Sequence, residues 1–163
     1  MKDHHLDDCF ICRKHRGDVA IPGGPVYEDE LLYAGHAALP PGEAEGYLGS
    51  LLVEPKRHVG GMADLTDEEA QGIGLLVARL SRALTAAEGA EHVYLFVLGH
   101  AVPHLHVWVV PRYPGTPRAY WGTRVDEWSA APRGGPQEIA ALCERIRSYL
   151  RGESRDGRLR RGA

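Results

Sequence analysis

The segment His104-Leu105-His106-Val107-Trp108-Val109-Val110 alternates aliphatic residues with imidazoles and an indole. Side chains on a β-strand point alternately to its two faces. The pattern therefore predicts a strand within 99–112, with Leu105, Val107 and Val109 facing a core. His104, His106 and Trp108 would line the other face. Such a row commits the chain to a sheet with one dry face and one equipped for chemistry.

At 163 residues the chain is the size of one domain. The reading is a single domain over 1–150, followed by a basic tail over 151–163 without fixed structure. A formal net charge of −3 argues against coating a nucleic-acid polymer, which needs a strongly basic surface. No run approaches the ~18 apolar residues of a membrane span, so no membrane partner is expected. Residues 1–8 carry no apolar core of a secretory signal, and the expected location is cytoplasmic. The cysteines, Cys9, Cys12 and Cys143, are odd in number, which does not suggest a disulfide framework.

Val26–Glu28 and Leu31–Ala34 read as a hairpin around Asp29-Glu30, after the turn cluster Ile21-Pro22-Gly23-Gly24-Pro25. Residues 39–49 read as an exposed loop, and Ser50–Pro55 as a strand that delivers Lys56-Arg57-His58 at its end. Thr66 with Glu69 three residues on forms a capping box. Ile73, Val77, Leu80 and Leu84 give one apolar stripe, predicting a helix from Thr66 to about Ala87. His92–Leu98 reads as a strand paired antiparallel with the His104 segment. Residues 113–135, rich in Pro, Gly and aromatics, form a long irregular segment of the kind that is often functional. A second helix is expected over 136–150, with Ile139, Leu142, Cys143, Ile146 and Leu150 on one face, Cys143 acting as a small buried hydrophobe.

Two constellations carry chemistry. Cys9-Phe10-Ile11-Cys12 has the spacing by which a tight turn points two thiolates at one metal ion. By itself it also fits two reduced cysteines, and a thioredoxin-like redox role lacks the required strand–helix context. His58 and His104, at strand ends, are rigid candidates for the remaining ligands, with His4, His5 and His15 as rivals. The second constellation is His106, central in its row. An imidazole can attack phosphorus when its other ring nitrogen is fixed by a hydrogen bond. His100 stands nearby across a Gly-led turn. Trp108 reads first as packing, and Arg112 as either a phosphate contact or a surface arginine.

Taken together, these stretches resemble the histidine triad (HIT) family. Gly99-His100-Ala101-Val102-Pro103-His104-Leu105-His106-Val107-Trp108-Val109-Val110 follows its Gly-Gln-x-Val and His-φ-His-φ-His-φ-φ pattern. Cys9-x-x-Cys12, Val26-Tyr27-Glu28-Asp29, Gly49–His58 and Asp64-Leu65-Thr66-Asp67-Glu68-Glu69 match its other signatures in order. The resemblance implies an α+β fold, an antiparallel β-sheet with one long helix and a C-terminal helix, and a homodimer. It implies structural zinc on Cys9, Cys12, His58 and His104. It makes His106 the nucleophile on the α-phosphate of a nucleotide conjugate or dinucleoside polyphosphate, through a nucleotidyl-histidine. His100, Ser50, Trp108 and Arg112 would surround the phosphate, with Phe10 and Ile11 at the base.

The sequence departs from the pattern at the third triad position, which is Trp108, at the usual Gln, which is His100, and at the Gly-His pair, which is Gly49-Ser50. Trp108 offers only an indole N–H, so His100 is the expected replacement donor. Transfer of the nucleotidyl group to an acceptor other than water, and nucleotide binding without turnover, are the alternative readings.

Overall fold

The computed structural model describes residues 8–160, with side chains through Glu153; His4 and His5 lie outside the described residues. Within the described residues, helix α1 spans Phe10–His15. Cys9 caps it by accepting the Cys12 N–H at Sγ, 3.5 Å away. β1 (Pro25–Glu28) and β2 (Leu32–His36) form the expected hairpin. Its turn is held by the Asp29 carboxylate, which accepts from the amides of Leu31 and Leu32 at 2.9 and 2.7 Å, a side-chain mimic of a backbone turn.

β4 (Leu51–Pro55) lies beside β2, and all five of its residues are buried. The long helix α2 (Asp67–Glu88) follows, with the Thr66–Glu69 capping box in place and Gly89 ending it at φ 74°. A left-handed residue suits glycine because it has no Cβ to clash. β5 (His92–Phe96) and β6 (Val107–Arg112) pair antiparallel and complete a five-stranded sheet of order β1-β2-β4-β6-β5, antiparallel throughout. A C-terminal helix, α3, spans Pro136–Arg160.

Burial follows the alternation read from the sequence. Leu51, Val53, Leu105, Val107 and Val109 face a core shared with Ile73, Leu80 and Leu84 of α2 and with Ile139, Leu142, Cys143 and Ile146 of α3. The opposite face divides in two. Around Glu54 and His104 it is covered by α1. Around Val110 it carries a second, smaller core in which Tyr47, Val125 and Ala131 pack with Tyr94, Phe96, Trp108 and Trp128.

Four expectations are corrected. Residues 39–49 are not wholly an exposed loop, because Gly46–Tyr47 is a buried strand, β3. It pairs with Arg133–Gly134, β7, so the segment 113–135 is folded back onto the domain. The ladder of the histidine strand begins at Val107, and His104, Leu105 and His106 form a lead-in, bent at His104, that is held by the Leu105 N–H on the Val59 carbonyl at 2.7 Å. β5 ends at Phe96, not Leu98. Finally, α3 continues to Arg160 instead of ending at Leu150. Glu153, one turn beyond Leu150, accepts from Arg79 at 3.3 Å and Arg82 at 2.7 Å and ties the extension to α2.

Candidate active site and metal centre

Cys9 and Cys12 lie at the first turn of α1, His58 just beyond β4, and His104 on the lead-in to β6. Their ligand atoms all lie within 4.8 Å of one another. The geometry can be tested against a metal. Bonds of about 2.3 Å to sulfur and 2.05 Å to nitrogen at the tetrahedral angle set sulfur and nitrogen about 3.6 Å apart. Observed separations are 3.6 Å for Cys9 Sγ to His104 Nδ1, 3.5 Å for Cys12 Sγ to His104 Nδ1, and 3.3 Å for Cys12 Sγ to His58 Nδ1. The donor set fits a tetrahedral ion of the soft, thiolate-accepting kind.

The tautomer of His104 agrees. Its Nε2 lies 2.8 Å from the Pro55 carbonyl, which can only accept, so Nε2 carries the hydrogen and Nδ1 presents its lone pair to the thiols. Burial pushes the His104 pKa down to about 4, keeping the ring neutral, and pushes the Cys12 thiol up to about 11 with Cys9 beside it. A metal has to displace that proton to bind.

His15 does not join this group. Its Nε2 lies 2.9 Å from Glu54, whose other oxygen accepts from Lys14 at 2.6 Å. Burial pushes the Glu54 carboxyl up, but the hydrogen bond from His15 and the Lys14 charge together hold it below its usual range. This triad, under the metal ligands, escaped the sequence reading. Its signal was Glu54 itself, a carboxylate within the otherwise apolar Leu51-Leu52-Val53-Glu54-Pro55, where a buried charge demands partners.

His106 is nearly buried, and its Nδ1 lies 2.7 Å from the carbonyl of His104. By the same acceptor argument Nδ1–H is the donor, leaving Nε2 as the lone-pair nitrogen. Trp108 stands edge-on to His106, ring centroids 6.2 Å apart. In register it sits between Leu52 of β4 and Phe96 of β5. Ser50 is half-buried and lines a cavity with Trp108. His100 is exposed on the turn, Phe10 is exposed on α1, and Ile11 is buried against the knuckle.

Arg112 is the residue the structure does not bring here. It closes β6, at the opposite end of that strand from His106. Its guanidinium stacks 3.8 Å from the Trp121 ring centroid, with Glu91 and Tyr94 close by.

An antiparallel α+β domain with a Cys2His2 group, buried but for a half-buried His58, and a backbone-oriented histidine defines the class. The chain belongs to the HIT domain family, whose model matches residues 20–115. It is 30% identical over 156 residues to Protein hit of Bacillus subtilis, covering 90% of this chain and 97% of that protein. It is 29% identical over 148 residues to adenosine 5′-monophosphoramidase hnt1 of Schizosaccharomyces pombe, covering 88% and 98%. Its fold is similar to that of a zinc-bound histidine triad family protein from Mycobacterium smegmatis, at a TM-score of 0.67, 22% identity, and coverage of 91% and 99%.

Among the described residues no helix is long and apolar enough to cross a membrane.

Proposed function

We propose that the chain is a nucleotide hydrolase in which His106 Nε2 attacks the α-phosphate of a nucleotide conjugate. The bond from Nε2 to phosphorus forms as the bond from phosphorus to the leaving group breaks. The leaving group departs with a proton from solvent, and water then cleaves the nucleotidyl-histidine to release the nucleoside monophosphate. The observation that carries this reading is the 2.7 Å hydrogen bond from His106 Nδ1 to the His104 carbonyl. It fixes the ring with a free electron pair on the other nitrogen and supports the imidazolium-like charge that develops during attack.

Cys9, Cys12, His58 and His104 would hold a structural zinc. That ion would tie α1 to the lead-in of β6 and leave His104 no catalytic role beyond offering its carbonyl to His106. Ser50 and Trp108 border the phosphate in this reading, with His100 as a donor from the turn and Phe10 and Ile11 toward the base. The name of the fission-yeast relative, a nucleoside phosphoramidase, supports a nucleotide as substrate. The working form would be a cytoplasmic homodimer built on one domain, residues 1–150.

The decisive experiment is product analysis of adenylyl conjugates with wild type and His106→Ala, with and without added acceptors. Nucleoside monophosphate formed only by wild type supports hydrolysis. Label passed to an acceptor in place of water indicates a nucleotidyltransferase, and binding with no product indicates a module without turnover.

A further inference from the structure

Among the described residues a few buried side-chain nitrogens have no hydrogen-bond partner, and one of them is Nδ1 of His15. The His15 side chain is 7% exposed, so solvent does not serve this atom. Its protonation follows from the other side of the ring. Nε2 lies 2.9 Å from one oxygen of Glu54, whose other oxygen accepts from Lys14 at 2.6 Å. A carboxylate only accepts, so Nε2 carries the hydrogen and Nδ1 keeps its lone pair. A buried acceptor without a donor is destabilising and calls for a use.

The chemistry around the ring supplies one. A histidine that donates its far N–H to a carboxylate has the form of a metal ligand, because the carboxylate orients the ring and makes the lone pair more basic. His15 also stands where a metal ligand is wanted. It follows Cys12 by three residues, as Cys12 follows Cys9, so all three lie along one side of α1. His104 packs edge-on against both neighbouring imidazoles, with ring centroids 5.0 Å from His58 and 5.7 Å from His15. Tyr33 lies against the His15 ring as well, at 5.0 Å. Of the four side chains whose ligand atoms are gathered, His58 is the half-buried one.

We infer that His15 is a reserve ligand of the metal centre, taking the fourth position through Nδ1 when His58 leaves it. Two ligand sets then share Cys9, Cys12 and His104. One is closed by His58 near the surface, the other by His15 from within. Each set has two thiolates and two neutral imidazoles, so the exchange alters neither the charge nor the donor types of the site. No proton has to move, since the His15 Nε2–H stays on Glu54 throughout. The inference rests on the reading that Cys9, Cys12, His58 and His104 hold a metal, and the test separates the two.

The full chain, labelled with ¹⁵N in its histidine rings and loaded with ¹¹³Cd, reports ligand nitrogens through cadmium–nitrogen coupling. Wild type should show coupling to two rings, His58 and His104. His58→Phe, which keeps a ring against His104, should show coupling to His104 and His15, the latter lost when His15→Gln is added. His58→Ala serves where phenylalanine is not tolerated. Zinc affinity, read by chelator competition, gives a second measure. His15→Gln retains a donor for Glu54 and should leave the affinity of wild type unchanged. In the His58→Phe background it should lower affinity by about tenfold or more, at least what loss of an outer partner costs. Coupling to His104 alone in the His58 variants overturns the reserve role and leaves the metal centre standing. An equal loss from His15→Gln in both backgrounds makes His15 a support for Glu54 and also overturns it. Wild type that binds no cadmium or zinc overturns the metal centre and the reserve ligand together.

Discussion

The side chain of His106 is hydrogen-bonded to the backbone of His104, Nδ1 to carbonyl oxygen at 2.7 Å, while the side chain of His104 turns away to the Cys9 and Cys12 thiols. Two neighbouring histidines of one row thus have separate partners, and the Cys2His2 group meets the His106 ring through the His104 main chain. Replacing His106 with alanine should lower kcat on an adenylyl conjugate by about 10³-fold or more, as for a lost nucleophile. Thermal stability should move little, because the side chain contributes one hydrogen bond worth about 1 kcal/mol. Steady-state kinetics and calorimetry on the same preparation check both.

The Cys2His2 group predicts one zinc per chain in protein purified without chelator. Cys9→Ser with Cys12→Ser should abolish that zinc and lower Tm by about 5 °C or more, since a shift of 2–4 °C per kcal/mol is typical at this size. Elemental analysis and a melting scan measure the two effects.

Glu54 is fully buried between Lys14 and His15. Glu54→Gln leaves the Lys14 ammonium, itself buried, without its counter-charge. Breaking a buried pair in this way costs about 3–5 kcal/mol, to be read by urea unfolding. Leu80→Ala, in the apolar core and away from the metal group, should cost a similar 2–5 kcal/mol by opening a cavity. Unlike Glu54→Gln it should leave the zinc content unchanged.

Hydrogen bonding from Arg57 lowers the Glu69 pKa to about 2 from its ordinary 4.5, against the opposing effect of burial. A depressed folded-state pKa adds stability that is present above the unfolded value and lost as pH falls through the folded one. The loss therefore falls between about pH 4.5 and pH 2. Glu69→Gln should flatten that part of the stability curve, measured by denaturant midpoints across the range. Arg57 is half-exposed, so the effect should shrink in high salt.

Much of this was legible in the residues. Thr66 and Glu69 announced the start of α2 because capping chemistry is local, and the alternation through Leu105, Val107 and Val109 announced the core face because burial has the period of the strand. The Cys9–Cys12 spacing with His58 and His104 picked out the four side chains whose ligand atoms the fold brings together. What the residues did not disclose depends on distant partners. β3 and β7 are two residues each, too short to carry a period, and exist only because they pair with each other. The start of β6 at Val107 reflects where β4 and β5 supply hydrogen-bonding neighbours. The continuation of α3 past Leu150 follows from Glu153 meeting Arg79 and Arg82, which lie in α2. The stacking of Arg112 on Trp121 likewise depends on how the segment 113–135 folds back.

During turnover His106 should become covalently nucleotidylated. Rapid acid-free quenching of wild type with adenosine 5′-monophosphate benzylamide or its unsubstituted amide, followed by intact-mass and peptide analysis, tests it most directly. One adenylyl group is expected on the peptide containing His106, absent from His106→Ala and decaying as adenosine monophosphate forms. Product formation by an unmodified His106, or an adduct on any other residue, would contradict it.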